Sequence, residues 1–365
     1  MASLNQQDHK ERPKLLLHGL DTLEVAYWLH VRPSKLDFIE LGAAQQRAKN
    51  ARRDGFVEIT LGSETFAMKP YGRYPYAYLL VHEDFEVRLA EFMRPACIVR
   101  YYSKGLWLSG MGMLTKRFGD WCESMGLVAS MPEGVSRADW AFDYHLASID
   151  FGPDHFVTRA KKDAQWRDNG AFQTFKVGQD QVVLRLYDKV AEIHQNSGKE
   201  FLYELWQQND SVWRVEFQVR GERLKEGGIR TLNDLVSLQN DLLRQLASAH
   251  TTLRRPTGDT NRARWPLHPL WTAVQADINT LPQTGLVRHI DPKAPLNIRL
   301  YFQSKSIYGH LKGIAALLAL LGEVGTEPRL GDVLTLLRKL LAEHHQPDLF
   351  ADDVRSRINS LRYEQ

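Results

Sequence analysis

Three short segments of this chain alternate apolar and polar side chains with a period of two, and this pattern restricts the possible folds more than any other feature. The segments are SRADWAFDYHL at 136–146, VLRLYDK at 183–189 and WRVEFQVRG at 213–221. Successive side chains of a β-strand point to opposite faces of its sheet, so each segment has one apolar and one polar face. The alternation predicts strands of an antiparallel sheet whose apolar face packs on a core.

Periodicity in the rest of the chain predicts an α+β fold. Segments rich in Val, Ile, Phe and Tyr predict strands, and a VGQD turn predicts a hairpin of 171–177 with 181–187. Further strands are expected at 20–29, 56–61, 65–69, 76–81, 85–91, 96–102, 135–146 and 212–220. Helices are expected at 106–126, 152–166, 189–207, 231–250, 313–325 and 330–345. We therefore expect a central antiparallel sheet with flanking helices, followed by a helical C-terminal region.

The length of 365 residues favours two domains. A change in composition near residue 228 suggests a polar N-terminal tail at 1–18, a catalytic domain at 19–228 and a helical region at 229–365. With 43% hydrophobic and 25% charged residues, the composition is that of an ordinary soluble globular protein. No apolar run approaches the roughly 20 residues of a membrane span, and the first residues are polar rather than a signal peptide. These features predict a cytoplasmic location without a membrane partner.

The polar faces of the three alternating segments carry groups that suit phosphoryl transfer. A tyrosine such as Tyr187 can attack a phosphodiester if it loses a proton and if cations bind the non-bridging oxygens. The carboxylates of Asp139, Asp143 and Glu216 are hard oxygen ligands that suit Mg²⁺ or Mn²⁺. Because the two aspartates lie roughly 13 Å apart along an ideal strand, both bind one ion only if the strand bends or one acts indirectly.

Basic side chains on the same faces would hold DNA phosphates and lower the pKa of the tyrosine. They are Arg137, Arg185, Lys189, Arg214 and Arg220. The alternative is that each segment is a half-solvated strand, which is what alternation usually means. The content of these faces argues against it, because acids, arginines and a tyrosine stand where Ser, Thr and Gln are usual.

The ordered set SRADWAFDYH, RLYDKVAE and WRVEFQVRG resembles the replication initiation factors often called the Rep_trans family, and GLDTLEVAYWL at 19–29 resembles the family's first strand. The resemblance covers roughly residues 19–225. Members initiate rolling-circle replication of plasmids and filamentous phages, and some are relaxases of integrative conjugative elements. The resemblance implies a fold related to the HUH endonucleases and metal-dependent nicking and joining of one DNA strand through a 5′-phosphotyrosyl intermediate.

Residue by residue, the resemblance implies that Tyr187 is the nucleophile and Lys189 the lysine of its motif. Asp139, with Asp143 as a second acid, and Glu216 match the family's acids and imply a site for Mg²⁺ or Mn²⁺. The His-hydrophobe-His pair of the HUH group is missing, so the metal site would be built from acids, with or without His145. The implied partners are origin DNA, single-stranded or cruciform with flanking duplex, a host helicase and a second copy of the chain.

Other functions fit parts of the pattern. A conjugative relaxase would use the same chemistry, whereas a catalytically inactive DNA-binding regulator or an adaptor would keep the fold alone. KPYGRYPYAY at 69–78 interleaves aromatic and basic residues, as in proteins that bind single-stranded DNA, or else packs as a hairpin. The five arginines from Arg244 to Arg264 form either a solvated surface or a nucleic-acid contact.

Overall fold

The structure is a computed structural model that describes residues 13–51, 55–282 and 294–363. It consists of two compact units, residues 1–289 and 290–365. The first unit contains the β-sheets, and the second consists of helices. Most of the predicted N-terminal tail lies outside the described residues, and the first strand already begins at Lys14.

Antiparallel pairing joins eleven strands into one sheet within the described part of the chain. The strands are β1 (Lys14–Tyr27), β2 (Leu29–His30), β3 (Val57–Leu61), β4 (Glu64–Met68), β5 (Tyr78–Val81), β6 (Phe85–Leu89), β7 (Cys97–Tyr101), β8 (Val128–Ala129), β9 (Gly134–His145), β10 (Phe156–Thr158), β11 (Asp163–Asp168), β12 (Ala171–Val177), β13 (Val182–Asp188), β14 (Val212–Arg220) and β15 (Thr251–Leu253). The large sheet has the order β11-β12-β13-β14-β9-β1-β7-β6-β5-β4-β3, and β2 pairs with β8 and β10 with β15. The predicted α+β class with an antiparallel sheet is confirmed.

Helices flank this sheet and form the second unit. The first unit contains α1 (Phe38–Asn50), α2 (Ser103–Leu108), α3 (Met111–Ser124), α4 (Lys189–Glu192), α5 (Phe201–Trp206), α6 (Gly221–Glu226), α7 (Leu232–Gln245) and α8 (Pro269–Asn279). The second contains α9 (Ala294–Leu320), α10 (Leu330–His344) and α11 (Pro347–Tyr363). Within the described ranges, no helix combines the length and the apolar character needed to cross a bilayer.

The apolar face of the central strands packs against α7 and α8. Phe217 of β14 lies with its ring centroid 6.2 Å from that of Trp271 in α8. Trp140 of β9 donates a hydrogen bond to Gln239 of α7 at 2.8 Å, and Tyr144 donates one to Asp277 of α8 at 2.8 Å. The boundary predicted near residue 228 therefore falls inside the first compact unit, because α7 and α8 complete the core of the sheet.

The polar face of the same strands is covered at one end as well. A small apolar cluster of Ile193, Leu202, Trp206 and Val212 forms there, with Trp107 of α2 packed against it. The strands β9 and β14 are consequently buried on both faces over most of their length. This part of the polar face is not the half-solvated surface that alternation alone would favour.

Three predicted helices differ from the structure. Segment 152–166 is wrong as a helix: it forms a short turn, β10 and most of β11, because pairing with β12 and β15 decides its conformation. The helix predicted at 106–126 is divided at Gly110, whose φ of 82° is in the left-handed region. The helix predicted at 189–207 is divided at Gly198, with φ 60°. The hairpin of β12 and β13 was predicted correctly, including its VGQD turn.

Candidate active site

The register of the central strands brings the predicted site residues side by side. β14 lies between β9 and β13 in the sheet. Arg214 lies opposite Asp143 on one side and opposite Tyr187 on the other, and Glu216 lies opposite Arg185. Directly paired residues of an antiparallel sheet share a face. The three polar faces inferred from alternation thus form one continuous surface.

Tyr187 is buried within this surface, with 8% of its area exposed. Its hydroxyl donates a hydrogen bond to Oε2 of Glu216 at 2.8 Å. Burial, together with the negative charge of Glu216, raises the pKa of Tyr187 well above its usual value of 10. The phenol is therefore neutral at rest, and the carboxylate of Glu216 is placed to accept its proton.

Lys189 lies against the Tyr187 ring. It begins α4 directly after β13, where Asp188 caps the helix by accepting a hydrogen bond from the Ala191 amide at 3.0 Å. The ammonium of Lys189 lies 5.6 Å from the centroid of the Tyr187 ring and pairs with Glu192. Burial lowers the pKa of Lys189 from its usual value. The lysine thus fixes the ring by a buried cation–π contact.

A chain of side-chain hydrogen bonds leads from Glu216 to β9. Arg185 donates to Oε1 of Glu216 at 2.8 Å and to the side-chain oxygen of Gln218 at 3.1 Å. Arg137 donates to the same Gln218 oxygen at 3.0 Å and to both oxygens of Asp139. Burial raises the pKa of Asp139 to about 6, although its bond with Arg137 opposes the shift. Gln218 therefore joins the Arg185–Glu216 pair and the Arg137–Asp139 pair into one network.

Arg214 and Asp143 form an ion pair with no exposed side-chain surface. Arg214 donates to the two oxygens of Asp143 at 2.6 and 2.8 Å and to Asp21 at 2.7 Å, and Trp206 also donates to Asp143, at 2.8 Å. Burial alone would raise the pKa of Asp21, but Arg214 and Lys199 outweigh it and hold that pKa well below its usual value. The prediction that Arg214 contacts DNA is corrected here, because its guanidinium is enclosed in the fold and neutralises two aspartates.

An open groove of about 470 Å³ lies on this face along the first half of β13, and Tyr187 is not one of its lining residues. Four basic residues line it, Arg137, Lys176, Arg185 and Arg220, together with the acid Asp180. A concave surface with an excess of one sign of charge attracts the opposite sign, here a polyanion. Arg185 lines the groove and also bonds to Glu216, so one cation connects the groove with the partner of the tyrosine. Three of the four arginines predicted to bind DNA thus lie in one basic groove.

The three predicted metal ligands do not form a cation site in this arrangement. Each carboxylate already has an arginine partner: Asp139 has Arg137, Asp143 has Arg214 and Glu216 has Arg185. Over the described ranges, no group of three or more His, Cys, Asp and Glu is arranged to hold a metal ion. His145 is half-buried at the end of β9. A divalent cation would have to displace an arginine to reach Asp139 or Glu216.

The sequence interpretation assigned no role to Asp21, Gln218 or Trp206. In the sequence, Asp21 stands out as an acid within a mostly apolar segment. In the structure it lies at a register shift between Leu20 and Thr22 of β1. Gln218 shares the polar face of β14, so alternation had placed it correctly without a function. Trp206 comes from α5 and reaches Asp143 only through tertiary packing, for which the sequence has no local signal.

Segment 69–78 packs in part as a hairpin, and its contact with single-stranded DNA stays a prediction. Tyr76 is buried and its hydroxyl donates to the Pro95 carbonyl at 3.2 Å, as expected for hairpin packing. Tyr71 and Tyr74 are exposed. The side chain of Arg73 pairs with Glu86 of β6 at 3.4 Å.

The arginines of the segment from 244 to 264 contact other residues of the protein. Its five arginines contact backbone carbonyls or nearby acids: Arg244 contacts Asp241, Arg254 the Trp265 carbonyl, Arg255 Asp150, Arg262 the Phe156 carbonyl and Arg264 Asp259. These contacts support the interpretation of this segment as an ordinary protein surface.

No protein-family model and no curated protein matches this chain. Among solved structures, a rolling-circle replication initiator protein from Geobacillus stearothermophilus is similar to it. The two chains are 16% identical with a TM-score of 0.42, and the similarity covers 74% of this chain and 98% of that chain. A similarity at this level carries no argument about activity, so the function must be argued from the side chains of the site.

Proposed function

We propose that this chain is a replication initiator that nicks and rejoins one DNA strand, with Tyr187 as its nucleophile. In this proposal the phenolic oxygen attacks the phosphorus of a phosphodiester, and the bond from phosphorus to the 3′ oxygen breaks. The 5′ phosphate stays joined to Tyr187, and the released 3′ hydroxyl primes synthesis. Reversal by a 3′ hydroxyl rejoins the strand without ATP, because the adduct retains the energy of the phosphodiester.

The hydrogen bond from Tyr187 to Glu216 is the observation that carries this proposal. A buried tyrosine–carboxylate bond also occurs in the core, between Tyr144 and Asp277, but the carboxylate that accepts from Tyr187 has its other oxygen held by Arg185, which lines the basic groove. Tyr187 as nucleophile, Glu216 as proton acceptor and Arg185 as phosphate-binding cation thus lie next to one another on one face of the sheet. That is the set of groups required for attack on a phosphodiester.

Each group has a distinct task in the proposed step. Glu216 takes the phenolic proton as the oxygen attacks, which removes the need for a free phenolate in a buried site. Arg185 and the other cations of the groove neutralise the charge that develops on the phosphorane oxygens. Lys189 keeps the ring in position, and the departing 3′ oxygen takes a proton from solvent.

A Mg²⁺ or Mn²⁺ cofactor stays a prediction, and no part of the proposed step depends on it. The arginines occupy the carboxylates that would bind the ion. An assay with Mg²⁺, with Mn²⁺ and with EDTA measures the requirement directly.

The test is covalent capture of DNA. The full chain is incubated with random single-stranded oligonucleotides labelled at the 3′ end and with a supercoiled library of random inserts, in each of the three metal conditions. The 3′ fragment carries the 5′ phosphate, so the proposal expects a labelled protein band that survives denaturing electrophoresis. Tyr187→Phe removes one oxygen and should abolish this band.

Controls separate chemistry from folding and from rival functions. Tyr187→Phe should keep its cooperative unfolding transition, and Glu216→Gln should lose the band while the tyrosine is still present. A band that persists in Tyr187→Phe would assign the nucleophile to another residue. DNA binding without any adduct in all three conditions would instead identify a non-catalytic DNA-binding regulator. An adduct formed at a transfer origin rather than a replication origin would identify a relaxase.

A further inference from the structure

An exposed tryptophan stands on the edge strand β11 in the same cross-sheet row as Tyr187. Trp166 lies opposite Thr174 of β12, and Thr174 lies opposite Tyr187 of β13. Since directly paired residues share a face, Trp166 and Tyr187 project from the same side of the sheet. They are two strands apart, about 10 Å at the usual spacing between strands.

Positive charge lies next to this tryptophan. The neighbouring row of the same face contains Lys176 of β12 opposite Arg185 of β13, and both residues line the basic groove. Proteins that hold single-stranded nucleic acid without sequence preference combine a basic groove for the backbone with an aromatic side chain on which a base stacks. Trp166, Lys176 and Arg185 supply both parts within two adjacent rows.

The fold itself has little use for an indole at this position. Trp166 is 51% exposed, and all six residues of β11 are exposed. The charged residues Asp163, Arg167 and Asp168 already protect this edge strand against pairing with another chain. A threonine or lysine would serve the strand equally well.

We propose that Trp166 stacks on a base of single-stranded DNA beside the phosphate that Tyr187 attacks, while Lys176 and Arg185 bind the adjoining backbone. This inference rests on the function proposed above and adds to it a residue, Trp166, that would hold an unpaired base at the site of attack. Every base has a π face, so the contact favours single strands over duplexes without reading sequence.

The test measures DNA affinity in the full chain carrying Tyr187→Phe, which prevents cleavage. The probe is a fluorescein-labelled oligothymidine, titrated at low salt and followed by anisotropy. Adding Trp166→Ala should weaken binding on the order of 10- to 100-fold, and Trp166→Phe should restore most of the affinity. The matched control is Gln165→Ala on the opposite face of the same strand, which should leave the dissociation constant unchanged.

The outcomes separate this inference from the proposed function. If Trp166→Ala binds as tightly as its parent while Arg220→Gln weakens binding, base stacking is overturned and the basic groove stands. If Gln165→Ala and Trp166→Ala lose affinity equally, the strand rather than the indole matters, and the inference fails. If Trp166→Ala changes only self-association in sedimentation, the residue belongs to a protein contact. If the parent does not bind single strands at low salt, the proposed function fails as well.

Discussion

The two faces of strand β14 are both buried, yet they are stabilised in different ways. Phe217 on one face packs against the Trp271 ring. Arg214 on the other face is just as enclosed and bonds to Asp143 and Asp21. Burial of apolar area depends little on pH, whereas a buried ion pair is stable only while all its partners are present and ionised. The two faces are therefore equally buried, but their contributions to stability respond differently to pH and to the loss of one partner.

The difference also bears on function. The apolar face is complete once α7 and α8 have packed on it, and its residues have no remaining capacity for a ligand. On the polar face, the ion pairs become more exposed from Arg214 toward Arg185, where 28% of the side chain is accessible. Chemistry is therefore expected at the boundary, where a phosphate can compete with Glu216 for Arg185.

Arg214→Met is expected to be one of the two most destabilising substitutions. The substitution leaves Asp143 without its cation and Asp21 with Lys199 alone, which should lower the free energy of unfolding by about 3–5 kcal/mol near neutral pH. The folded pKa of Asp21 lies below its unfolded value, so its contribution is present above about pH 4 and is lost as the pH falls through the folded pKa. Urea unfolding at a series of pH values should therefore show the penalty shrinking under acid conditions.

Phe217→Ala provides the matched control on the other face. It should also cost about 3–5 kcal/mol, through a cavity rather than an unpaired charge. Its penalty should stay constant over the same pH range. Equal pH profiles for the two variants would contradict the distinction drawn between the faces.

Tyr187→Phe should have a moderate effect on stability. It removes the hydrogen bond to Oε2 of Glu216 but leaves the carboxylate bonded to Arg185, so a loss of about 1–2 kcal/mol is expected. Thermal or urea unfolding measures this loss. A loss as large as that of Arg214→Met would mean that the tyrosine is mainly structural.

Lys189→Met should change stability by about 1 kcal/mol or less. The lowered pKa of Lys189 shows that burial opposes its charge, and an apolar side chain of similar length relieves that cost. The side chain of its partner Glu192 is 27% exposed and accepts a hydrogen bond from Ser197. Glu192 therefore keeps a hydrogen-bond donor and contact with solvent when the lysine is removed. Urea unfolding against the parent measures the change, and a cost of several kcal/mol would place Lys189 with Arg214 as an essential buried charge.

Arg220→Gln should have the smallest effect on the fold. The residue is exposed at the end of β14, so stability should stay within about 0.5 kcal/mol. If Arg220 binds a phosphate, the slope of log affinity against log salt concentration should fall by about one. Titrations of the Tyr187→Phe chain with a single-stranded oligonucleotide at several salt concentrations provide this slope. An unchanged slope would remove Arg220 from the DNA-binding groove.

Local patterns predicted much of the fold because they follow from local geometry. The alternation in β9, β13 and β14 requires a strand with two unlike faces, and the VGQD turn requires a hairpin; Gly178 there has a φ of 93° that favours glycine. Segment 152–166 failed because its charged and apolar residues fit a helix as well as a strand. Only pairing with β12 and β15, which lies outside the local window, favours the strand.

The sequence by itself determined which side chains share a face, because the period of a strand places Asp139 with Asp143, Arg185 with Tyr187, and Arg214 with Glu216. Tertiary structure decided which of these charges neutralise one another and which still face solvent. Arg214 and Arg185 look alike in the sequence, but α5 brings Trp206 onto the Asp143–Arg214 pair, whereas Arg185 lies at the open groove. The reason is that the period of a strand is a property of the backbone, whereas desolvation of a charge depends on elements that are distant in the sequence.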